Sequence, residues 1–187
     1  MIIEQTTFPD AINVVSLTVA KSHLRVEHTD DDALITSLIT AAQEMVQKYT
    51  GTFLQRTAVN FYSDTFMDYM DLHAGPSVTL TAVQYKNTSD VTITVPTTGY
   101  QIDGKSYPAR LRMTSAPKLI KDELNAVTIQ SQSGYETANR PQALISAMLL
   151  IIGHLYENRQ DVTRFKQYEI PMASQFLMEP YRLKSFR

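Results

Sequence analysis

The sequence predicts an α+β fold: a small antiparallel helical bundle, a β-rich insert and an extended carboxyl-terminal arm. Three observations predict it. Apolar residues recur at helical spacing near 34–49 and again from 141 to 161; the period changes to two between about 55 and 135; and regularity fades after 163. The reading is one domain spanning 1–187, with a helical core at 16–51 plus 141–163, an insert at 55–135 and an arm at 164–187.

Within the core, Leu34, Ile35, Leu38, Ile39, Ala42, Met45, Val46 and Tyr49 share one helix face, which places a helix at about 31–50. Asp30, Asp31 and Asp32 stand where a helix start favours a capping side chain and negative charge. Gly51 follows the last periodic residue, where a left-handed cap is expected. A shorter helix at 18–24 precedes it, with Thr18 as the cap. The last long helix, 141–161, opens on Pro141, whose missing N–H is no loss at a first helical position. Leu144, Ala147, Met148, Ile151 and Leu155 make one stripe, while Ile145, Leu149, Leu150 and Ile152 fill the opposite side. A helix apolar nearly all round is buried on more than one side, either as the central helix of a small bundle or by also meeting another subunit.

The insert reads as strands in VNFYSDTF, SVTLTAVQYKN, VTITV, ARLRMT and AVTIQSQS, all rich in β-branched and aromatic residues. Gly75-Pro76, Asn87 to Asp90, Pro96 to Gly99 and Asp103-Gly104 punctuate them. In the arm, a short helix is expected at Met172 to Met178, ended by Pro180.

Composition limits the chemistry. The chain has 17 Lys+Arg against 19 Asp+Glu and no cysteine, which excludes disulfides, a thiol nucleophile and Cys-based metal centres. MIIEQTTFPDA has neither the basic start nor the apolar stretch of a secretory leader, and no apolar run approaches the ~20 residues of a membrane span. A soluble protein of a reducing compartment is expected. Charge is unevenly spread: residues 1–54 hold seven acidic and three basic side chains, 55–140 hold eight of each, and 164–187 hold five basic and two acidic. The near-neutral total argues against a protein built to grip nucleic acid, as does a helix at 31–50 whose one basic residue is Lys48.

One string matches a catalytic pattern. Gly99-Tyr100-Gln101-Ile102-Asp103-Gly104-Lys105-Ser106 fits the phosphate-binding loop G-x-x-x-x-G-K-[ST]. That chemistry needs a helix after the loop, whose N-terminus and backbone N–H groups cradle phosphate. Pro108 and Pro117 with strand-like ARLRM between them leave no room for one, so a turn between strands is the reading. His154, Glu157 and Asp161 fall on one helix face, and His23 and His28 flank the acidic run, yet metal ligands normally converge from several elements. No nucleophile elbow is present. The sequence offers no catalytic residue, cofactor site or metal site.

Three stretches in order carry a resemblance. SLTVAKSHLRVEHTDDDALITSLITAAQEMVQKYTGT joins a short helix ending in HLRV to an acidic run and a long helix closing on YTG. RPQALISAMLLIIGHLYENRQDV is a proline-started apolar helix running into HLYENR, and IPMASQFLMEPYRLKSF is a proline-led short helix giving way to PYR. The pattern resembles the head–tail connector proteins of tailed bacteriophages, also called adaptors or head-completion proteins. The resemblance implies a structural virion protein of the neck, made in the bacterial host cytoplasm. It implies a ring of twelve copies, with the isolated chain a monomer as the alternative, that extends the DNA channel below the portal. The expected partners are the portal protein and a stopper or tail-completion protein, with DNA passing unread, no membrane and no reaction catalysed.

In that frame the arm is the expected portal-docking segment. Arg164, Lys166, Tyr181, Arg182, Lys184, Phe186 and Arg187 are the residues expected to bind it, since arginine and aromatic side chains dominate protein interfaces. The competing readings are another ring protein of the neck, either tail-completion or stopper, and the phosphate-loop NTPase argued against above.

Overall fold

A computed structural model describes residues 3–7, 13–72, 75, 78–104, 106, 108–115, 117–120, 123–159 and 172–183. Among them the α+β class holds, with four α-helices and two antiparallel sheets. The helices are α1 (Leu17–Leu24), α2 (Asp32–Thr50), α3 (Gln142–Glu157) and α4 (Met172–Met178). The strands are β1 (Ile3–Thr7), β2 (Thr57–Ser63), β3 (Tyr69–Leu72), β4 (Thr79–Lys86), β5 (Thr92–Thr94), β6 (Tyr100–Asp103), β7 (Ala109–Met113) and β8 (Val127–Ser133). The chain divides into two compact units, a helical one from the described residues of 12–54 and 137–184, and a β unit from β1 and 55–136.

In the helical unit, α2 buries Ile35, Ile39, Ala42, Val46 and Thr50, and α3 buries Leu144, Ala147, Met148, Ile151 and Ile152. Each large aliphatic side chain removed from water contributes about 1.5–3 kcal/mol. Leu34, Leu38, Met45 and Tyr49 of the α2 stripe are half-buried, as are Ile145, Leu149 and Leu150 of α3. The helices α2 and α3 run antiparallel. Arg140, just before α3, donates from Nε to the Leu54 carbonyl (2.5 Å) beyond the end of α2, while Tyr156 near the end of α3 reaches Asp31 at the start of α2.

Three boundaries differ from those the sequence predicts, each for a local reason. Ser16, not Thr18, caps α1: its extended backbone (ψ 155°) lets the hydroxyl accept from the Val19 N–H at 3.3 Å. Pro141 is the residue flanking α3 and not its first helical one, because its ψ of 125° is extended. Helix α3 stops at Glu157, where the Asn158 N–H and its side-chain amide both donate to the His154 carbonyl (3.0 and 2.9 Å). The short helix expected at Met172–Met178 is present as α4, but the arm is not extended over residues 172–183: α4 and a 3₁₀ turn (Glu179–Tyr181) pack within the helical unit, with Ser174 and Met178 buried. At the end of α2, Gly51 takes the left-handed conformation expected of it (φ 69°), its N–H donating to the Gln47 carbonyl (2.9 Å).

In the β unit, one sheet has the order β1-β2-β8-β4-β5 and the other β3-β7-β6. Alternation does the work: Thr57, Val59, Phe61 and Ser63 of β2 and Val127, Ile129, Ser131 and Ser133 of β8 point to the buried face. On the smaller sheet Met70, Leu72, Ala109, Leu111 and Met113 are buried in the same period. All five strands read from sequence are present. The strands β1, β3 and β6 are additional, five or fewer residues each and poor in β-branched apolar side chains.

Candidate interaction surface

The carboxyl end of α2 and the turn after α4 build a surface of aromatic and charged groups. The Tyr49 hydroxyl donates to Glu179 Oε2 at 2.8 Å, and the Arg182 guanidinium lies over the Tyr49 ring, 5.3 Å from its centre. Arg182 also faces Glu179 Oε2 at 4.0 Å. The hydrogen bond to Glu179 holds the Tyr49 proton and raises the phenol above its ordinary value. The Leu183 N–H donates to the Thr50 carbonyl (2.8 Å), so the turn is fastened to a carbonyl that α2 leaves without a helical partner.

Beside this cluster lies a cleft of about 180 Å³ lined by Tyr49, Gln175, Phe176 and Glu179. Phe176 is 74% exposed. Ser174 and Met178, four residues apart, fix the buried face of α4, and Phe176 between them is turned outward. An exposed aromatic beside a second aromatic and an arginine is the composition of an interface centre, where such residues carry most of the binding energy.

Of the arm residues expected to dock, Tyr181 is half-buried in the 3₁₀ turn and Arg182 is exposed against Tyr49. Arg164, Lys166, Lys184, Phe186 and Arg187 lie outside the described residues. The sequence marks Phe176 as one of the aromatics interleaved with the basic residues of the arm, but gives no such sign for Tyr49, Gln175 or Glu179. Tyr49 belongs to an apolar stripe and reads as core, and the outward turn of Phe176 depends on the burial of Ser174, a polar residue that no apolar period marks.

The acidic run at the other end of α2 is used differently from a helix cap. The Asp31 side chain makes no capping bond; its Oδ2 accepts from the Tyr156 hydroxyl (2.5 Å) and from Arg159 (3.1 Å). The Tyr156 hydrogen bond, with the Arg159 contact, holds the Asp31 carboxyl below the usual carboxylate value. Arg159 in turn lies 4.9 Å over the Tyr156 ring, and Asp32 accepts from Lys21 Nζ of α1 at 2.6 Å. Two of the three aspartates therefore tie α1 and α3 to the start of α2.

The phosphate-loop string forms a hairpin turn. Residues 100–103 are β6, the register pairs Asp103 with Arg110 on β7, and no helix follows. Asp103 accepts from the Ser106 N–H (3.3 Å) and from Arg110 (2.8 Å), and a Cβ added to Gly104 would lie 2.4 Å from the Val78 carbonyl oxygen. Lys105 lies outside the described residues. On the outer face of this sheet, Arg112 stands over Tyr69 at 5.6 Å. Of the histidines considered as ligands, the His154 backbone carbonyl is taken by the Asn158 caps; Asp161 lies outside the described residues. Among the described residues no three His, Asp or Glu side chains converge, and no helix is long and apolar enough to cross a membrane.

Residues 14–91 match the family described as phage gp6-like head-tail connector protein. Over that stretch the chain is similar to head–tail connector sequence. The stretch covers α1, α2 and the strands β2, β3 and β4, including the acidic run and Tyr49. Solved structures show a likeness of fold over nearly the whole chain. A chain from the neck of an empty gene transfer agent particle, computed with C6 symmetry, has a TM-score of 0.80 at 18% identity, covering 99% of this chain and 97% of that one. A chain from the virion of a native gene transfer agent particle gives 0.77 at 21%, covering 100% and 97%. One from the neck of the native particle, computed with C12 symmetry, gives 0.74 at 20%, covering 98% and 97%. At such identities the likeness establishes a shared fold. No curated protein matches the sequence significantly.

Proposed function

We propose that the chain is a head–tail connector adaptor, a structural virion protein that forms a ring on the portal, extends the DNA channel and joins head to tail. The observation that carries this reading is the coincidence of connector sequence at 14–91 with a fold shared, nearly end to end, with chains of particle necks. The C6 and C12 symmetries of those necks support a ring, with twelve as the copy number. In this reading the helical unit is a small antiparallel bundle forming the ring body, and its half-buried apolar positions on α2 and α3 meet neighbouring copies. Ring closure needs two different patches, one meeting the other around the axis.

The seven acidic and three basic side chains of residues 1–54, repeated around a ring, surround the channel with negative potential. DNA then passes without being held, since each phosphate neutralised would add affinity. The basic arm from 164 onward, with the exposed Phe176 and Arg182 and the half-buried Tyr181, takes the portal; the opposite face takes a stopper or tail-completion protein. The protein catalyses nothing.

The test is binding of the purified chain to portal and to tail-completion components. Arg182→Glu with Lys184→Glu is expected to abolish portal binding while leaving the fold intact. Binding to tail components alone would replace the adaptor by a stopper or tail-completion role. Nucleotide-analogue binding lost on Lys105→Ala would overturn the non-enzymatic reading.

A further inference from the structure

Arg140 is a half-buried cation with little to hold it. Its Nε donates to the Leu54 carbonyl, and among the described residues no carboxylate lies within ion-pair distance of its guanidinium. Burial pushes the group below its ordinary value, since desolvation disfavours the charged form. A partly desolvated arginine is best stabilised by a carboxylate, which its planar fork binds in a bidentate pair.

Its position on the helical unit is fixed by α2. Arg140 sits just beyond the carboxyl end of α2, with Lys48 in the last helical turn and Arg182 over Tyr49. Glu179 is tied to Tyr49 and Arg182, and Glu44 lies one turn earlier. At the amino end, Asp31 and Asp32 are taken by Tyr156, Arg159 and Lys21. Glu27 and Asp30 are exposed there with no hydrogen-bonding or ion-pair partner among the described residues; Arg25 and His28 are the cationic or titratable neighbours in sequence. A helix of 19 residues separates the two ends by about 28 Å. Among the described residues, the cation lacking a carboxylate and the carboxylates lacking a cation thus stand at opposite ends of one rigid element, too far apart to meet each other within a chain.

We propose that Arg140 of one copy binds the Asp30 and Glu27 carboxylates of a second copy, a head-to-tail contact between the two ends of α2 on adjacent chains. It deepens the ring reading and rests on it. The contact is heterologous, with different patches on the two copies, which is the kind that propagates around a ring. Charge complementarity selects the second copy as occupant: the same unit carries both halves of the pair. It also disfavours a head-to-head approach, which would set Glu27 and Asp30 of both copies against like charge.

The chain has no cysteine, so introduced thiols report contact without background. Thr29→Cys and Asn139→Cys, each beside a proposed partner and each exposed, leave Arg140 and Asp30 in place. The two variants are mixed at high concentration with a short thiol-reactive cross-linker and compared with the pair Ser37→Cys and Asn139→Cys. The proposal expects about tenfold more mixed dimer from the first pair, as a docked contact raises local thiol concentration. Adding Arg140→Glu to the Asn139→Cys chain should remove the excess, and adding Asp30→Arg to the Thr29→Cys chain should restore it. Equal yields from both pairs, including no yield from either, or an excess untouched by Arg140→Glu, overturns the contact. Portal binding measured on the same proteins separates the outcomes: a chain that binds portal without this cross-link refutes the contact and leaves the adaptor reading standing.

Discussion

The Tyr156 hydroxyl donates to Asp31 Oδ2 across 2.5 Å, joining the end of α3 to the residue that precedes α2, 125 positions away in sequence. Arg159 reaches the same oxygen at 3.1 Å and stacks on the Tyr156 ring, so the carboxylate closes a three-residue clamp. The clamp explains why an acidic run sits at this helix start without capping it.

A pH dependence follows from the clamp. The Asp31 carboxyl is held below its ordinary value of 3.8, chiefly by the Tyr156 hydrogen bond. A carboxyl with a depressed folded-state pKa contributes stability that is full above the unfolded value and lost as pH falls through the folded one. Tyr156→Phe is therefore expected to lower the urea midpoint by a constant amount from neutral pH down to the ordinary carboxylate value. The difference from wild type should then shrink as the medium is acidified further. Urea titrations of both proteins at a series of pH values check this; a difference that persists in strong acid would remove the clamp.

The turn after β6 gives a steric prediction. A Cβ on Gly104 would lie 2.4 Å from the Val78 carbonyl oxygen, a separation that forces backbone to move. Gly104→Ala should destabilise the fold by about 1–3 kcal/mol, read as a lower denaturant midpoint with an unchanged slope. The glycine that completes the phosphate-loop pattern is thus required by packing.

The long helices were legible because period and termini agreed: Ile35, Ile39, Ala42 and Val46 are buried as their spacing implies, and Gly51 closes α2. The five strands read from sequence announced themselves by alternation, as in Val59 and Phe61. What escaped was short or non-local. Strand β6 is four residues, and its identity depends on pairing Asp103 with Arg110. The role of Asp31 depends on Tyr156 and Arg159, which no local pattern connects to it. The surface at Tyr49 was half legible: the arginine and tyrosine of the PYR segment stood out, but Tyr49, the partner of Arg182, looked like core because a stripe of eight apolar positions is wider than the face actually buried.

That excess width separates two neighbouring residues. Ile39 is 1% exposed, whereas Leu38 is half-buried on the flank of the same helix. Ile39→Ala should cost about 2–5 kcal/mol through lost burial and the cavity left behind. Leu38→Asp should leave a folded chain, with near-native circular dichroism, that assembles less well. Sedimentation of both variants distinguishes them; an unfolded Leu38→Asp protein would assign that flank to the core.

Phe176 offers the sharpest separation of stability from binding. It is 74% exposed on a helix held by Ser174 and Met178, so Phe176→Ala removes almost no buried area. The expected stability change is within about 0.5 kcal/mol. If the cleft it forms with Tyr49, Gln175 and Glu179 receives a partner side chain, the same substitution removes an anchor and weakens portal binding by about tenfold or more. Calorimetric melting and portal binding of this one variant give the two numbers. Loss of binding at constant stability places the docking centre on α4, whereas unchanged binding moves it to the residues beyond Leu183.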